Sequence, residues 1–345
     1  MPNTKENSRE IAGVSVLVWI VLLAFLIRVI AVVVRHENLW IDTDAYLAIA
    51  QNLLDGNGFC STPGQPTAFR PPLYPLLVSV SLYCGGHAAI GVVQIVLGTA
   101  TVWLTWRIAR CCQFSQQTSL LAAAIIAVDP LLVEYSTQAM TETLSTFLVT
   151  LLLLATLRSD HGARKGIVVG VVFGLAALCR PSIWAFGGLA AVGWLVVALA
   201  NRSSHSGSDC GGRLFRGKTV FACAAAVAVT VSPWVIRNTL QFGRPVLMTT
   251  HGGYTLLLGN NETFFREVVS GERGTVWEGS SLKAWQAEKE RQLLGIGIAR
   301  DNELSRDAAF SGLAKQWIVE YPYRFLRTCM FRIQRFWACW PSVSV

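Results

Sequence analysis

The sequence predicts an all-α polytopic membrane protein. Hydrophobic residues make up 52% of the chain and charged ones only 14%, which is too little polar surface to cover a soluble globule. Apolar runs of bilayer-crossing length recur along it. The basic residues collect in the short connections between alternate runs, as cytoplasmic loops require.

The first run, 11–34, is too long for a signal-peptide core and is followed by no small-residue cleavage pattern, so it reads as a retained signal anchor. Further runs follow at 88–106, 118–133, 139–157, 166–178, 182–200 and 219–236, giving about seven spans of the expected length. With the N-terminus in the cytoplasm, Arg107 and Arg110, then Arg158, Arg164 and Lys165, then Arg202, Arg213, Arg216 and Lys218 all fall inside. Residues 35–87, the 129–138 turn, the turn at Arg180 and everything after Trp234 then face outward. Segment 72–84 is apolar but too short to span; counting it would invert every later loop, so it reads as a helix on or dipping into the outer leaflet. Gly166, Gly170 and Gly174 form a small-residue ladder on one helical face, suited to close approach by another helix. The domain division that follows is a transmembrane domain, 1–236, containing the outer loop 35–87, and an outer-surface C-terminal segment, 237–345.

The net charge of +8 is that of a membrane protein with basic inner loops, and no basic stripe points to nucleic acid. The nine cysteines show neither a CxxC nor a Cys/His metal spacing and read as packing residues. The five histidines do not pair on one helix face. Trp40, Trp234, Trp317, Trp337 and Trp340 read as residues of the membrane interface.

The stretch WIDTDAYLAIAQNLLDGNGF, 40–59, places Asp42 and Asp44 at the outer mouth of the first span. Read as a helix, it puts Asp42, Tyr46, Ile49 and Leu53 on one face and Asp44, Ala48, Gln51 and Asp55 on nearly the opposite one, so the two aspartates do different jobs. One task open to either is capping the helix N-terminus, whose free N–H groups favour a carboxylate. Gly56-Asn57-Gly58 ends the helix with residues that tolerate positive φ.

Asp42 to Tyr46, the stop at 56–59, RPPLYP at 70–75, Thr141-Glu142, LCRPS at 178–182, PWVIRN at 233–238 and GGYTLLLGNN at 252–261 stand in the order found in bacterial GT-C glycosyltransferases. The resemblance is to the branch of the protein mannosyltransferases and lipid A aminoarabinose transferases, and it extends over nearly the whole chain. It implies a GT-C-like bundle whose outer first loop bears amphipathic helices, followed by a C-terminal outer-surface segment, in the cell (inner) membrane. Members of that family commonly continue into further spans beyond the point matching Val345, so the chain reads as either naturally short or truncated. The implied activity takes a sugar from a polyprenyl-phosphate donor and passes it to a lipid, glycan or protein acceptor on the non-cytoplasmic side, with an acidic residue of the first outer loop as base. The family's acidic pair begins four residues before a Tyr, the spacing of Asp42 to Tyr46. Thr43 takes the second acidic position and the other carboxylate stands at Asp44, so both remain catalytic candidates, Asp42 first.

That chemistry is consistent with the residues themselves. An attacking hydroxyl or amine must lose a proton, which a positioned carboxylate accepts. Phosphate leaves without a general acid, so one base suffices and inversion is expected. The leaving phosphate needs positive charge, and Arg70, Arg180 and Arg237 lie at outer helix mouths against the usual inward bias. Snorkelling to lipid headgroups is the competing reading of each. Arg28, near the outer end of the first span, reads as a snorkelling or pairing residue. Glu142, near the outer end of its span, is suited to orienting a donor group or pairing with an outer arginine. Tyr46, Tyr74, His251 and Asn260 complete the candidate substrate contacts by their place in the matching motifs. A divalent cation takes part in some GT-C branches and is dispensable in others; carboxylates without a His cluster would suit a hard divalent cation if one took part. A lipid transporter or flippase is the alternative class, but it would show repeated halves with broken helices, and no internal repeat is present.

Overall fold

The computed structural model describes residues 4–157, 162–203, 217–272, 275–277 and 279–336. Arg158, Arg213, Arg216, His161, His205, Trp337 and Trp340 lie outside them, as does the side chain of Arg202. The described chain is almost wholly helical and divides into two compact units: Met1–Pro66 with Pro71–Met248, and Thr67–Arg70 with Thr249–Val345.

In the first unit, α1 (Thr4–Val34) leads through a short 3-10 turn, His36–Trp40, to α2 (Tyr46–Leu54). A small antiparallel hairpin, β1 (Cys60–Thr62) and β2 (Gln65–Pro66), pairs Cys60 with Pro66 and Thr62 with Gln65. The helices α3 (Leu73–Cys111), α4 (Gln116–Val128), α5 (Pro130–Tyr135), α6 (Glu142–Leu157), α7 (Ala163–Cys179), α8 (Ile183–Ser203) and α9 (Gly217–Phe242) follow. Helix α3 is broken at Gly85 and Gly86, the latter at φ 63°, a conformation that glycine adopts without the Cβ penalty. The break falls where the sequence divides 72–84 from 88–106, and Trp40 stacks on His87 just beyond it at 3.5 Å.

Among the described residues, three helices are long and apolar enough to cross a membrane: Ser15–Val34, Leu73–Cys111 and Gly217–Phe242. Gln116–Val128, Glu142–Leu157 and Ile183–Gly193 are apolar but shorter. Three of the seven expected spans, 11–34, 88–106 and 219–236, thus fall in helices of crossing length among the described residues. The run 118–133 is cut at Asp129-Pro130, where proline disfavours helix at the residue before it and Asp129 instead caps α5, accepting from Leu132 N–H at 2.9 Å. The run 139–157 becomes helical only at Glu142.

The main core gathers Val32, Leu39, Tyr46, Leu47, Tyr74, Val78, Leu144, Leu148, Ala176 and Cys179 from α1, the 3-10 turn, α2, α3, α6 and α7. The glycine ladder of α7 meets α9: a Cβ on Gly166 would stand 2.3 Å from the Thr219 carbonyl, and one on Gly170 2.4 Å from that of Cys223. Backbone contact of that kind needs small residues. Arg28 is fully buried, its guanidinium donating to the carbonyls of Ala127 at 3.2 Å and Ile126 at 3.4 Å. It thus caps the C-terminal end of α4, where a cation is favoured, and Gly98 leaves the space it occupies.

The second unit comprises α10 (Gly252–Leu258), helical turns through 262–269, α11 (Gly279–Gly295), α12 (Glu303–Glu320) and α13 (Pro322–Phe336). Leu257, Trp285, Leu293, Phe310 and Ala314 form its core.

Candidate functional site

Helix α2 begins at Tyr46, so neither Asp42 nor Asp44 is on it, and the two-face distinction expected from a helical reading does not hold. The chain enters the helix through Ala45 at φ 61° and ψ 18°, a left-handed conformation costing about 1–2 kcal/mol for a residue with a Cβ. That bend turns the Asp42 carboxylate back onto the helix end. Its Oδ1 accepts from Leu47 N–H at 3.1 Å and its Oδ2 from Ala48 N–H at 2.8 Å, two of the amides that a helix start leaves without partners. Each oxygen keeps a second lone pair, and the side chain is exposed. Asp44 is half-buried beside it.

The far end of the loop is fixed by Asn52, whose Nδ2 donates to the Cys60 and Ser61 carbonyls at 3.1 and 3.2 Å. Asn57 donates to Asn52 Oδ1 at 3.0 Å, and Gly56 and Gly58 make the turn at φ 78° and 80°. The sequence marks this stop through its glycines but gives no sign of the role of Asn52.

Behind the loop, Tyr46 and Tyr74 meet edge to face at 5.1 Å. Both rings are buried, so they support the wall from behind instead of presenting a surface to substrate. Gln94, 1% exposed, donates to Tyr74 Oη at 3.2 Å and to the Gln138 carbonyl at 2.7 Å, which ties the start of α3 to the turn before α6. It is a residue the motif reading passed over, although a lone amide within an apolar run is itself a signal.

Glu142, the first residue of α6, forms an ion pair with Arg180 at 3.2 Å. Arg180 is the residue that ends α7, in extended backbone. The pair is asymmetric. The Arg180 side chain is 43% exposed and that of Glu142 17%, and Glu142 Oε2 is buried with no hydrogen-bond partner. A buried carboxylate oxygen left without a donor is costly, and the helix N-terminus on which it sits offsets only part of that cost.

The remaining candidates separate. Arg237 donates to Asn238 Oδ1 at 2.9 Å and to the Phe59 carbonyl at 2.8 Å, between the rings of Phe59, Trp234 and Phe242. These bonds fasten the loop end at Phe59 to α9. Asn260 is 3% exposed; its Nδ2 donates to the Leu256 carbonyl at 2.7 Å, and its Oδ1 is buried with no hydrogen-bond partner.

Arg70 belongs to the second unit, its guanidinium standing 4.5 Å over the Phe69 ring. Phe69 packs against His251 at 4.1 Å and His251 stacks on Tyr254 at 5.0 Å. Burial, with Arg70 beside it, pushes His251 down to about 4, so the ring is neutral at pH 7. Because the unfolded histidine takes up its proton near pH 6.5, stability present above pH 6.5 falls as pH drops to about 4 and levels off below. The loss amounts to up to about 3 kcal/mol. Denaturant midpoints followed by tryptophan fluorescence should show this slope in the wild type and a shallower one in His251→Phe; equal slopes would count against it.

Among the described residues, no three His, Cys, Asp or Glu side chains come together.

Residues 69–237 match the sequence profile of a family described as dolichyl-phosphate-mannose-protein mannosyltransferase. No curated protein and no solved structure matches the chain. The matched stretch carries Arg70, Tyr74, Glu142, Arg180 and Arg237, while Asp42, Asp44, Tyr46, His251 and Asn260 lie outside it. Over 69–237, just under half of its length, the chain is thus similar to the GT-C-type mannosyltransferases that this profile describes.

Proposed function

We propose that the protein transfers a sugar from a polyprenyl-phosphate carrier to an acceptor hydroxyl or amine on the non-cytoplasmic face of the cell membrane, with inversion at the anomeric carbon. The observation that carries this reading is the Glu142–Arg180 pair, half-open on its arginine side and with one buried carboxylate oxygen unsatisfied. The exposed fork of Arg180 suits a phosphate, which guanidinium binds through a planar pair of donors. Glu142 Oε2 is an acceptor waiting for a donor, as a sugar hydroxyl would be.

In the reaction, the acceptor oxygen or nitrogen attacks the anomeric carbon while the bond from that carbon to the phosphate oxygen breaks. The electron pair leaves with the phosphate, where Arg180 stabilises the growing charge. The acceptor's proton passes to Asp42. The cap and base readings of Asp42 are compatible: two N–H groups fix the orientation of the carboxylate, and its outward lone pairs stay open to the acceptor. Arg70, in the motif RPPLYP, is a second arginine proposed to bind the lipid phosphate.

The test is transfer by the purified protein of radiolabelled sugar from polyprenyl-phosphate donors, with release of polyprenyl phosphate measured alongside. Turnover of a nucleotide sugar but of no lipid-phosphate donor would overturn the reading. Orientation is tested by cysteine labelling in intact cells on a cysteine-free background. Asn57→Cys should react with an impermeant reagent from outside and His205→Cys only after permeabilisation, and the reverse pattern would sink the proposed face.

A further inference from the structure

Glu303 opens α12 in a polar, charge-rich stretch, and no motif draws attention to it. Its carboxylate nevertheless gathers buried donors from two segments far away in sequence. Oε1 accepts from the Thr67 hydroxyl, and Oε2 accepts from Ala68 N–H at 3.0 Å and from the Thr250 hydroxyl at 2.7 Å. Thr250 N–H returns a bond to the Ala68 carbonyl at 3.0 Å, and Phe69 N–H donates to the Thr67 hydroxyl at 3.0 Å. Thr67, Ala68 and Thr250 are 1%, 0% and 8% exposed, so no water replaces a lost bond without opening the segment.

We propose that Glu303 is a positioning residue that sets Arg70 for the donor phosphate, an inference that rests on the reading of Arg70 given above. The segment Thr67–Arg70 joins the second unit, and Glu303 holds the two residues immediately before Phe69-Arg70. With Thr67 and Ala68 fixed, the Phe69 ring packs on His251 and the Arg70 guanidinium rests on Phe69. That leaves few rotamers open to an otherwise long and mobile side chain. A carboxylate is suited to the task because one group accepts several bonds at once, and its place in the first turn of α12 favours its charge.

The experiment uses the full-length protein in detergent and reads two quantities, amide exchange at Ala68 and the kinetics of the lipid-phosphate donor. Glu303→Gln keeps the shape. Its oxygen accepts from Ala68 and Thr250 and its amide donates to the Thr67 hydroxyl, so exchange and kinetics should stay near wild type. Glu303→Ala should speed exchange at Ala68 roughly tenfold, the scale of one lost hydrogen bond. It should also raise the donor KM or lower kcat/KM toward the level of Arg70→Ala. The double variant Arg70→Ala/Glu303→Ala should be no worse than Arg70→Ala alone, since the two act as one unit. Thr67→Val removes one donor at constant shape and should give a smaller loss in the same direction, which keeps the test available if Glu303→Ala folds poorly. Unchanged exchange at Ala68 in Glu303→Ala overturns the clamp, and additive losses in the double variant overturn the link to Arg70. A wild-type rate in Arg70→Ala overturns the phosphate reading of Arg70 and the functional half of the proposal, while exchange at Ala68 still decides the clamp.

Discussion

Replacing Asp42 by Asn should lower transfer roughly 10²- to 10⁴-fold, the range for a missing general base, while changing stability by only about 1 kcal/mol. The two effects separate because the side chain has two tasks. As a cap, Asp42 accepts from Leu47 and Ala48 N–H groups, and Asn keeps one of those bonds, since its single oxygen still accepts. As a base, it must take a proton from the acceptor, which a carboxamide does not do. Asp42→Ala should lose both, and Asp44→Asn should keep most activity. Rates from purified variants, set beside denaturant midpoints, decide the matter. An active Asp42→Asn beside a dead Asp44→Asn would move the base to Asp44, and activity in the double variant would take this loop out of the chemistry. A loss of rate no larger than the loss of stability explains would leave Asp42 as a cap alone.

Features with a local cause are the ones legible in the sequence. The break in α3 is written in adjacent glycines, the start of α5 in Asp129-Pro130, and the close approach of α7 to α9 in glycines one helical turn apart. The Glu142–Arg180 pair was legible as one of two options because an acid opens one apolar run and an arginine closes the next. Its asymmetry was not, since burial of one carboxylate oxygen depends on how α6 and α7 pack. The helical reading of 40–59 failed at its first residues for a related reason. Alternation of apolar residues does not reveal that Ala45 turns through a left-handed conformation, so periodicity carried the helix back too far. Arg237 reads from sequence as a spare cation, and only the fold brings the Phe59 carbonyl and its ring within reach. Glu303 gave no signal because all the donors it gathers come from residues remote in the chain. Hydropathy measures runs, whereas proline and caps decide where helices stop, as at Asp129-Pro130.

Arg180→Ala should cost about 2–4 kcal/mol of transition-state stabilisation, the scale of removing one preorganised donor from a developing oxyanion, and should lower kcat more than it raises the donor KM. A second explanation for such a loss must be separated, because Arg180 also neutralises Glu142, and leaving a largely buried carboxylate unpaired is damaging by itself. Glu142→Gln removes that charge and so removes the need for a counter-ion. If Arg180 serves only Glu142, adding Arg180→Ala to Glu142→Gln should cost nothing further, and the pair would be structural. If Arg180 meets the phosphate, the double variant should fall by the same factor as Arg180→Ala does in the wild type. Arg180→Lys should recover part of the rate, because a point charge replaces the fork without its paired donors. Full recovery by Lys would show that charge alone matters and that the bidentate geometry assigned to this arginine is not used.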